Sequence, residues 1–207
     1  MNDIVIETID SVGKGKIRVT FDTGLSCLLY RGEARGLNLS EGGVISQSDY
    51  DYMLKEVIGK RAKRRAMHLL EQMDRTEKQL RDKLLGNEYP ESCIDMAIEY
   101  VKSYHYIDDE RYACNYVRFA QEKKSRQRIK QDLMRKGISR DLIEFALEEE
   151  FESDEIAQIQ ELLVKKHFQY EEAEQKEFQK IYNFLLRRGF HSSDILNTMK
   201  QNKNFHN

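Results

Sequence analysis

The chain has 207 residues, of which 34% are charged and one is proline, with 34 Lys and Arg against 36 Asp and Glu. Such a composition describes a strongly helical globular protein of one domain or two. There is no apolar run of about eighteen residues, and the opening MNDIVIETID lacks the basic and apolar regions of a signal peptide, so the expected compartment is the cytoplasm, with no membrane partner.

Residues 1 to about 47 read as a small antiparallel β unit. IVIETIDSV, KIRVTFD and LSCLLYR are three candidate strands, separated by Gly13 to Gly15 and by Asp22-Thr23-Gly24. So short a sheet buries little alone and is expected to pack on a helix starting near Ser48 or Asp49. Gly13-Lys14-Gly15-Lys16 lacks the spacing and the terminal Lys-Ser or Lys-Thr of a phosphate loop, and a hairpin turn is expected there. A basic block, Lys60, Arg61, Lys63, Arg64 and Arg65, follows.

From Lys60 onward the period is helical, and the same pattern occurs three times. Shifts of 49 and then 52 residues superpose Leu80, Ile129 and Ile181; Leu84, Leu133 and Leu185; Leu85, Met134 and Leu186; Tyr89, Ile138 and Phe190; and Ile94, Ile143 and Ile195. Turn signals divide each copy into three helices, with Gly137 and Gly189 at left-handed helix stops and Ser139 and Ser192 or Ser193 as caps of the next helix. The expected fold is mostly α: an elongated tandem array of three three-helix, helix-turn-helix-like repeats behind the small β-rich unit. The expected boundaries are 1–59 for the β unit with its linking helix, then 60–107, 108–152 and 153–201 for the repeats, with a frayed tail at 202–207.

The segment YHYIDDERYACNYVRFAQEKKSRQRIKQDLMRKGISRDLIEFALEE resembles the central signature of the RecX family of bacterial recombination regulators, and residues 61 to 201 fit that family's tandem layout. Two positions depart from it. His105 stands where the family's run before the second repeat has glycine, and Glu88 takes the place held by Gly137 and Gly189, with Gly86 and Asn87 as adjacent candidates to end that helix instead. The resemblance implies a non-enzymatic, slender, modular protein that lies along RecA filaments on single-stranded DNA. It would modulate, with inhibition the expected direction, ATP hydrolysis, strand exchange and repressor self-cleavage in recombination, repair and the SOS response. A monomer without cofactors is implied, with the RecA filament as partner and single-stranded DNA as the open second one.

Enzyme and metal chemistry find little support. The five histidines share no ligand spacing, no nucleophile motif is present, and Asp108, Asp109 and Glu110 read as a helix N-terminus complementing its dipole. Cys27, Cys93 and Cys114 are odd in number and unpaired in spacing, so reduced, buried thiols are expected rather than a disulfide framework.

Charge marks the candidate contact surface. Arg118 to Lys136 holds 8 basic residues against Glu122 and Asp132. The third helices are acidic, with Glu91, Asp95 and Glu99 in repeat one and Asp141, Glu144, Glu148, Glu149 and Glu150 in repeat two, which disqualifies them as groove-reading helices. On the middle helix, Lys124, Arg128, Gln131 and Arg135 fall within about 60° of one another, away from Ile129 and Leu133. The register repeats this stripe as Lys176, Lys180, Asn183 and Arg187, whereas repeat one has Arg75, Gln79, Asp82 and Gly86. The candidate RecA- or DNA-binding residues are therefore Lys124, Arg126, Arg128, Lys130, Arg135, Lys136, Lys176, Lys180, Arg187 and Arg188, together with Arg61, Lys63, Arg64 and Arg65. Arg128 with Arg135 and Lys180 with Arg187 are expected to form two equivalent surfaces. Tyr112, Tyr116 and Phe119 lie near the patch, at a spacing that fits a buried helix face better than a stacking platform.

Overall fold

A computed structural model describes residues 3–171 and 173–202. Of the tail expected at 202–207, all but Asn202 lies outside the described residues. The chain divides between Asp108 and Asp109 into two compact units.

In the first unit β1 (Ile4–Gly13), β2 (Lys16–Phe21), β3 (Ser26–Tyr30) and β4 (Val44–Ile45) form an antiparallel sheet in the order β3-β2-β1-β4. Period-two alternation sends Ile17, Val19 and Phe21 of β2 inward. The Gly-Lys-Gly-Lys segment is the β1–β2 turn, with Gly13, Lys14 and Gly15 all at positive φ. Two elements go beyond the sequence reading, the two-residue β4 and the short helix α1 (Arg31–Gly36), whose Glu33 Oε2 accepts the Tyr30 N–H at 2.8 Å.

Ser46 caps α2 (Gln47–Tyr52), accepting the Asp49 N–H at 3.1 Å. The helix does not stop there: a π-helical stretch, Met53–Gly59, carries it into α3 (Lys60–Gln72). The join between residues 59 and 60 therefore lies inside one continuous helix. Within the π-helical stretch the Leu54 carbonyl accepts the Cys93 thiol at 3.3 Å. Tyr50, Met53, Ile58, Ala62 and Ala66 of this helix, the inner face of the sheet, and Leu80, Leu84, Ile94 and Ile98 from α4 (Glu77–Leu85) and α5 (Glu91–Ser103) make one buried cluster.

The second unit holds α6 (Asp109–Ala120), α7 (Arg126–Arg135), α8 (Arg140–Glu150), α9 (Glu155–Lys165), α10 (Gln175–Leu186) and α11 (Ser192–Gln201), around one buried cluster for α6 to α8 and another for α9 to α11. The repeat register has a direct structural meaning. Leu80, Ile129 and Ile181, Leu84, Leu133 and Leu185, and Ile94, Ile143 and Ile195 are all buried, while Leu85, Met134 and Leu186 all face solvent. An ion pair between middle and third helix also recurs, Arg81 with Asp95 in repeat one and Lys130 with Glu144 in repeat two, because the shift of 49 carries one pair onto the other.

Helix ends correct one expectation, the cap of α11. α4 ends at Leu85 with Gly86 as its C-cap, in the right-handed region, and Glu88 two residues on takes the left-handed conformation (φ 59°) that Gly137 (87°) and Gly189 (88°) hold in the other repeats. Hydrogen bonds from Glu88 N–H to Leu85 O and from Tyr89 N–H to Leu84 O close the same turn that Gly137 and Ile138 close onto Met134 and Leu133. His105 is left-handed as well, at φ 54°. Position 191, rather than Ser192 or Ser193, is the N-cap of α11. Cys27 and Cys93 are buried as expected, but Cys114 is half-buried.

Gly189 has a second role. A Cβ there would lie 2.6 Å from both Arg128 Cβ and Ser125 Oγ, and the Ser125 N–H donates to the Arg188 carbonyl at 3.1 Å. The turn after α10 thus packs backbone-close on the N-terminus of α7, fixing repeat two against repeat three.

Candidate partner-binding surface

The middle helices of repeats one and two start at matching buried caps. Thr76 Oγ1 accepts the Gln79 N–H at 3.2 Å, and Ser125 Oγ accepts the Arg128 N–H at 3.1 Å. In repeat three the register position is Glu177, and α10 begins earlier, at Gln175. Lys124 consequently lies ahead of its helix, whereas Lys176 lies on its own.

This offset separates two surfaces that are alike in sequence. In repeat two, Lys124, Arg128 and Arg135 all converge on Asp132, whose side chain is only 10% exposed. Lys124 Nζ is 2.8 Å from Oδ2, Arg128 Nε is 3.3 Å from Oδ1, and Arg135 pairs with the same Oδ1. The Tyr116 hydroxyl donates to Oδ2 at 3.0 Å. Burial alone would raise the Asp132 pKa, but the hydrogen bonds from Lys124 and Tyr116 and the neighbouring cations hold it below the usual carboxylate value. Lys124 is the converse case: burial would lower its pKa, and Asp132 and Tyr116 raise it. Much of this stripe's charge is neutralised from within.

In repeat three the position of Asp132 is taken by Phe184. Its ring face receives Arg188 at 3.7 Å and Lys166 at 5.1 Å. Lys176, Lys180 and Arg187 are exposed, with no carboxylate at ion-pair distance among the described residues. With Lys166, Ile181 and Phe184 they line an open cleft of about 460 Å³, with Glu174 and Glu177 also on its wall. Repeat three thus presents an open cationic surface. The expectation of two equivalent surfaces misses Asp132 as an internal anchor. Its i,i+4 and i,i+3 spacings to Arg128 and Arg135 were readable, as was Phe184 at the matching position.

The remaining candidates divide clearly. Lys130 is engaged by Glu144, and Lys136 donates to the Tyr112 hydroxyl at 2.9 Å. Arg126 stacks over Phe151 at 5.9 Å, and its N–H donates to Glu155 at 2.8 Å. Arg188 turns inward, its Nε buried, and burial followed by the nearby Arg187 lowers its pKa. In the first unit Arg61 pairs with Glu33 at 2.7 Å and stacks between Tyr30 and Tyr89. Arg65 donates to Asn87 at 3.0 Å. Lys63 and Arg64 remain turned outward, Lys63 over the Tyr100 ring at 5.3 Å. Tyr112 and Tyr116 are half-buried against the repeat-two core as expected, but Phe119 is 77% exposed.

Three consecutive helix-turn-helix-like units, each with its own set of inward aliphatic positions, define a tandem-repeat regulatory fold. Residues 62–100, 108–147 and 152–199 match the first, second and third three-helix domains of RecX, and the chain belongs to the RecX family. The family is one of regulatory proteins rather than enzymes. The regulatory protein RecX of Caldanaerobacter subterraneus subsp. tengcongensis is 33% identical over 165 residues, covering 77% of this chain and 79% of its own. That of Clostridium beijerinckii is 34% identical over 147 residues, 68% of each chain. A crystal structure of RecX from Lactobacillus salivarius covers 70% of this chain and 96% of its own at a TM-score of 0.57 and 26% identity. Another crystal structure of regulatory protein RecX covers 96% and 99% at a TM-score of 0.59 and 23% identity, a likeness of fold. Among the described residues, no helix is long and apolar enough to cross a membrane.

Proposed function

We propose that this chain acts in the cytoplasm as a monomer that binds RecA filaments on single-stranded DNA and restrains their ATP hydrolysis, strand exchange and coprotease activity. One observation carries the reading. Repeats two and three carry a matching set at the same register, exposed Gln127, Gln131, Met134 and Arg135 on α7 and exposed Gln179, Leu186 and Arg187 with half-buried Asn183 on α10. Solvated faces drift in composition, whereas a face shared by successive units suits a partner that repeats. Exposed Met and Leu beside Arg also match the make-up of protein interfaces. Linked units that each contact one protomer gain effective concentration only when protomers are assembled, which favours filaments over free subunits. The open cations of repeat three contribute a salt-dependent share of the binding.

The test is a titration of the chain into RecA hydrolysing ATP on single-stranded DNA. The proposal predicts a dose-dependent fall in hydrolysis at chain concentrations below those of RecA. Unchanged hydrolysis when the chain is equimolar with RecA would contradict it.

A further inference from the structure

The first unit carries an aromatic surface that neither its core nor the repeat register explains. Tyr100, near the C-terminus of α5, and Tyr104 and Tyr106, in the turn that follows, are 36%, 57% and 46% exposed. Their rings form a contiguous row: Tyr100 and Tyr104 have centroids 5.1 Å apart with 58° between planes, and Tyr104 and Tyr106 stack at 5.9 Å with 20° between planes.

The geometry is built by the backbone. The His105 N–H donates to Lys102 O at 2.9 Å and the Tyr106 N–H to Val101 O at 3.0 Å, which closes the helix with His105 in the left-handed region. That conformation costs a non-glycine residue roughly 1–2 kcal/mol and turns the side chains of residues 104 and 106 to the same side. Burying a tyrosine ring normally stabilises a fold, so three rings kept side by side in water point to a ligand with flat apolar faces.

The charge beside the row states which ligand. Lys63 Nζ stands over Tyr100, and Lys60, Lys63, Arg64, His68 and Tyr100 line an open cleft of about 470 Å³ that also includes Glu71. Lys60 is paired with Glu56 at 2.8 Å and Glu71 approaches His68 at 3.8 Å, but among the described residues no carboxylate lies within ion-pair distance of Lys63 or Arg64. Exposed aromatic rings next to unneutralised cations are what single-stranded nucleic acid needs: unpaired bases stack on the rings while the backbone phosphates meet the cations. A duplex hides its base faces and gains only the phosphate contacts.

We infer that Tyr104 and Tyr106, with Tyr100, Lys63 and Arg64, form a binding site for single-stranded nucleic acid in the first unit. The site acts on bare strand and does not depend on the RecA reading, so its test contains no recombinase. A fluorescent thymidine oligonucleotide is titrated with the full chain, beside a duplex of equal length. Three variants are compared: Tyr104→Ala with Tyr106→Ala, Tyr104→Phe with Tyr106→Phe, and Lys63→Gln with Arg64→Gln.

The expected results are tighter binding to the single strand than to the duplex, and a loss of roughly tenfold or more for the alanine pair, since each stacked base contributes about 1–3 kcal/mol. The phenylalanine pair keeps the ring faces and should bind within about twofold of the original. The glutamine pair should flatten the salt dependence by about 0.7 in slope for each phosphate that a cation no longer neutralises. The inference is overturned by no measurable binding of the original chain to the oligonucleotide, by equal binding to the duplex, or by alanine variants that bind like the original while circular dichroism shows them folded.

Discussion

Lys124 closes over the start of α7 onto Asp132, its Nζ 2.8 Å from Oδ2 and 2.8 Å from the Tyr116 hydroxyl oxygen. With Arg128 and Arg135 on the other carboxylate oxygen, one acidic side chain organises three of the cations that otherwise read as a free basic stripe. Asp132→Asn should therefore destabilise the second unit by about 1–3 kcal/mol, because it leaves a partly buried cation network without its counter-charge.

The same site predicts a pH dependence. The folded pKa of Asp132 lies below its ordinary value of 3.8, so its contribution is fully present above the unfolded carboxylate value and is lost as pH falls through the lower, folded one. The stability gap between the original and Asp132→Asn should be constant near neutrality and close below about pH 4. Urea denaturation at several pH values checks it; a gap that grows in acid would refute the assignment.

Gly189 and Glu88 occupy equivalent left-handed positions but should respond oppositely to substitution. Gly189→Ala adds the left-handed penalty of roughly 1–2 kcal/mol to a Cβ contact of 2.6 Å with Arg128, and should be strongly destabilising. Glu88→Gly removes the same penalty while giving up an exposed pairing with Arg18, and should be neutral or stabilising by up to about 1 kcal/mol. Denaturation midpoints decide this, and a strongly destabilised Glu88→Gly would show the Arg18 pairing to be more than a surface pair.

Burial pushes the Cys27 thiol up to about 12 and the Cys93 thiol up to about 11, whereas Cys114 is half-buried and shifted up less. A thiol reagent at about pH 8 should therefore label Cys114 first, with the other two reacting only on unfolding. Equal rates at all three in the folded protein would contradict the burial of Cys27 and Cys93.

Removing residues 1–46 deletes the sheet that covers Met53, Ile58 and Ala62. The shared cluster predicts that α3 to α5 then unfold while α6 to α11, which have their own clusters, stay folded. Limited proteolysis of the truncated chain should cut early before Asp108. Full protection there would show that α3 to α5 fold without the sheet.

These outcomes mark what was legible in the chain. The repeat register, β1 to β3 and, among the described residues, the nine helices after residue 59 follow from periodicity, because Leu80, Ile129 and Ile181 and their companions must turn inward at fixed spacing. The end of α4 at Gly86 was legible, but the left-handed turn residue at Glu88 was not, since propensity gives that conformation to glycine and only the closing bonds onto Leu84 and Leu85 place it there. The internal neutralisation of repeat two needed three dimensions for Lys124, which precedes the helix, although the Arg128 and Arg135 spacings to Asp132 announced it. The row at Tyr104 and Tyr106 escaped because a left-handed histidine, rather than a periodic signal, aligns the rings.

The most direct test of the proposed function compares binding to RecA-coated and bare single strands for the original chain, for Lys180→Gln with Arg187→Gln, and for Arg128→Gln with Arg135→Gln. The account predicts tighter binding to the coated strand, a loss of roughly tenfold for the repeat-three pair, whose cations are open, and a smaller loss for the repeat-two pair, already engaged by Asp132. Equal binding to coated and bare strands, or equal losses for the two pairs, would contradict it.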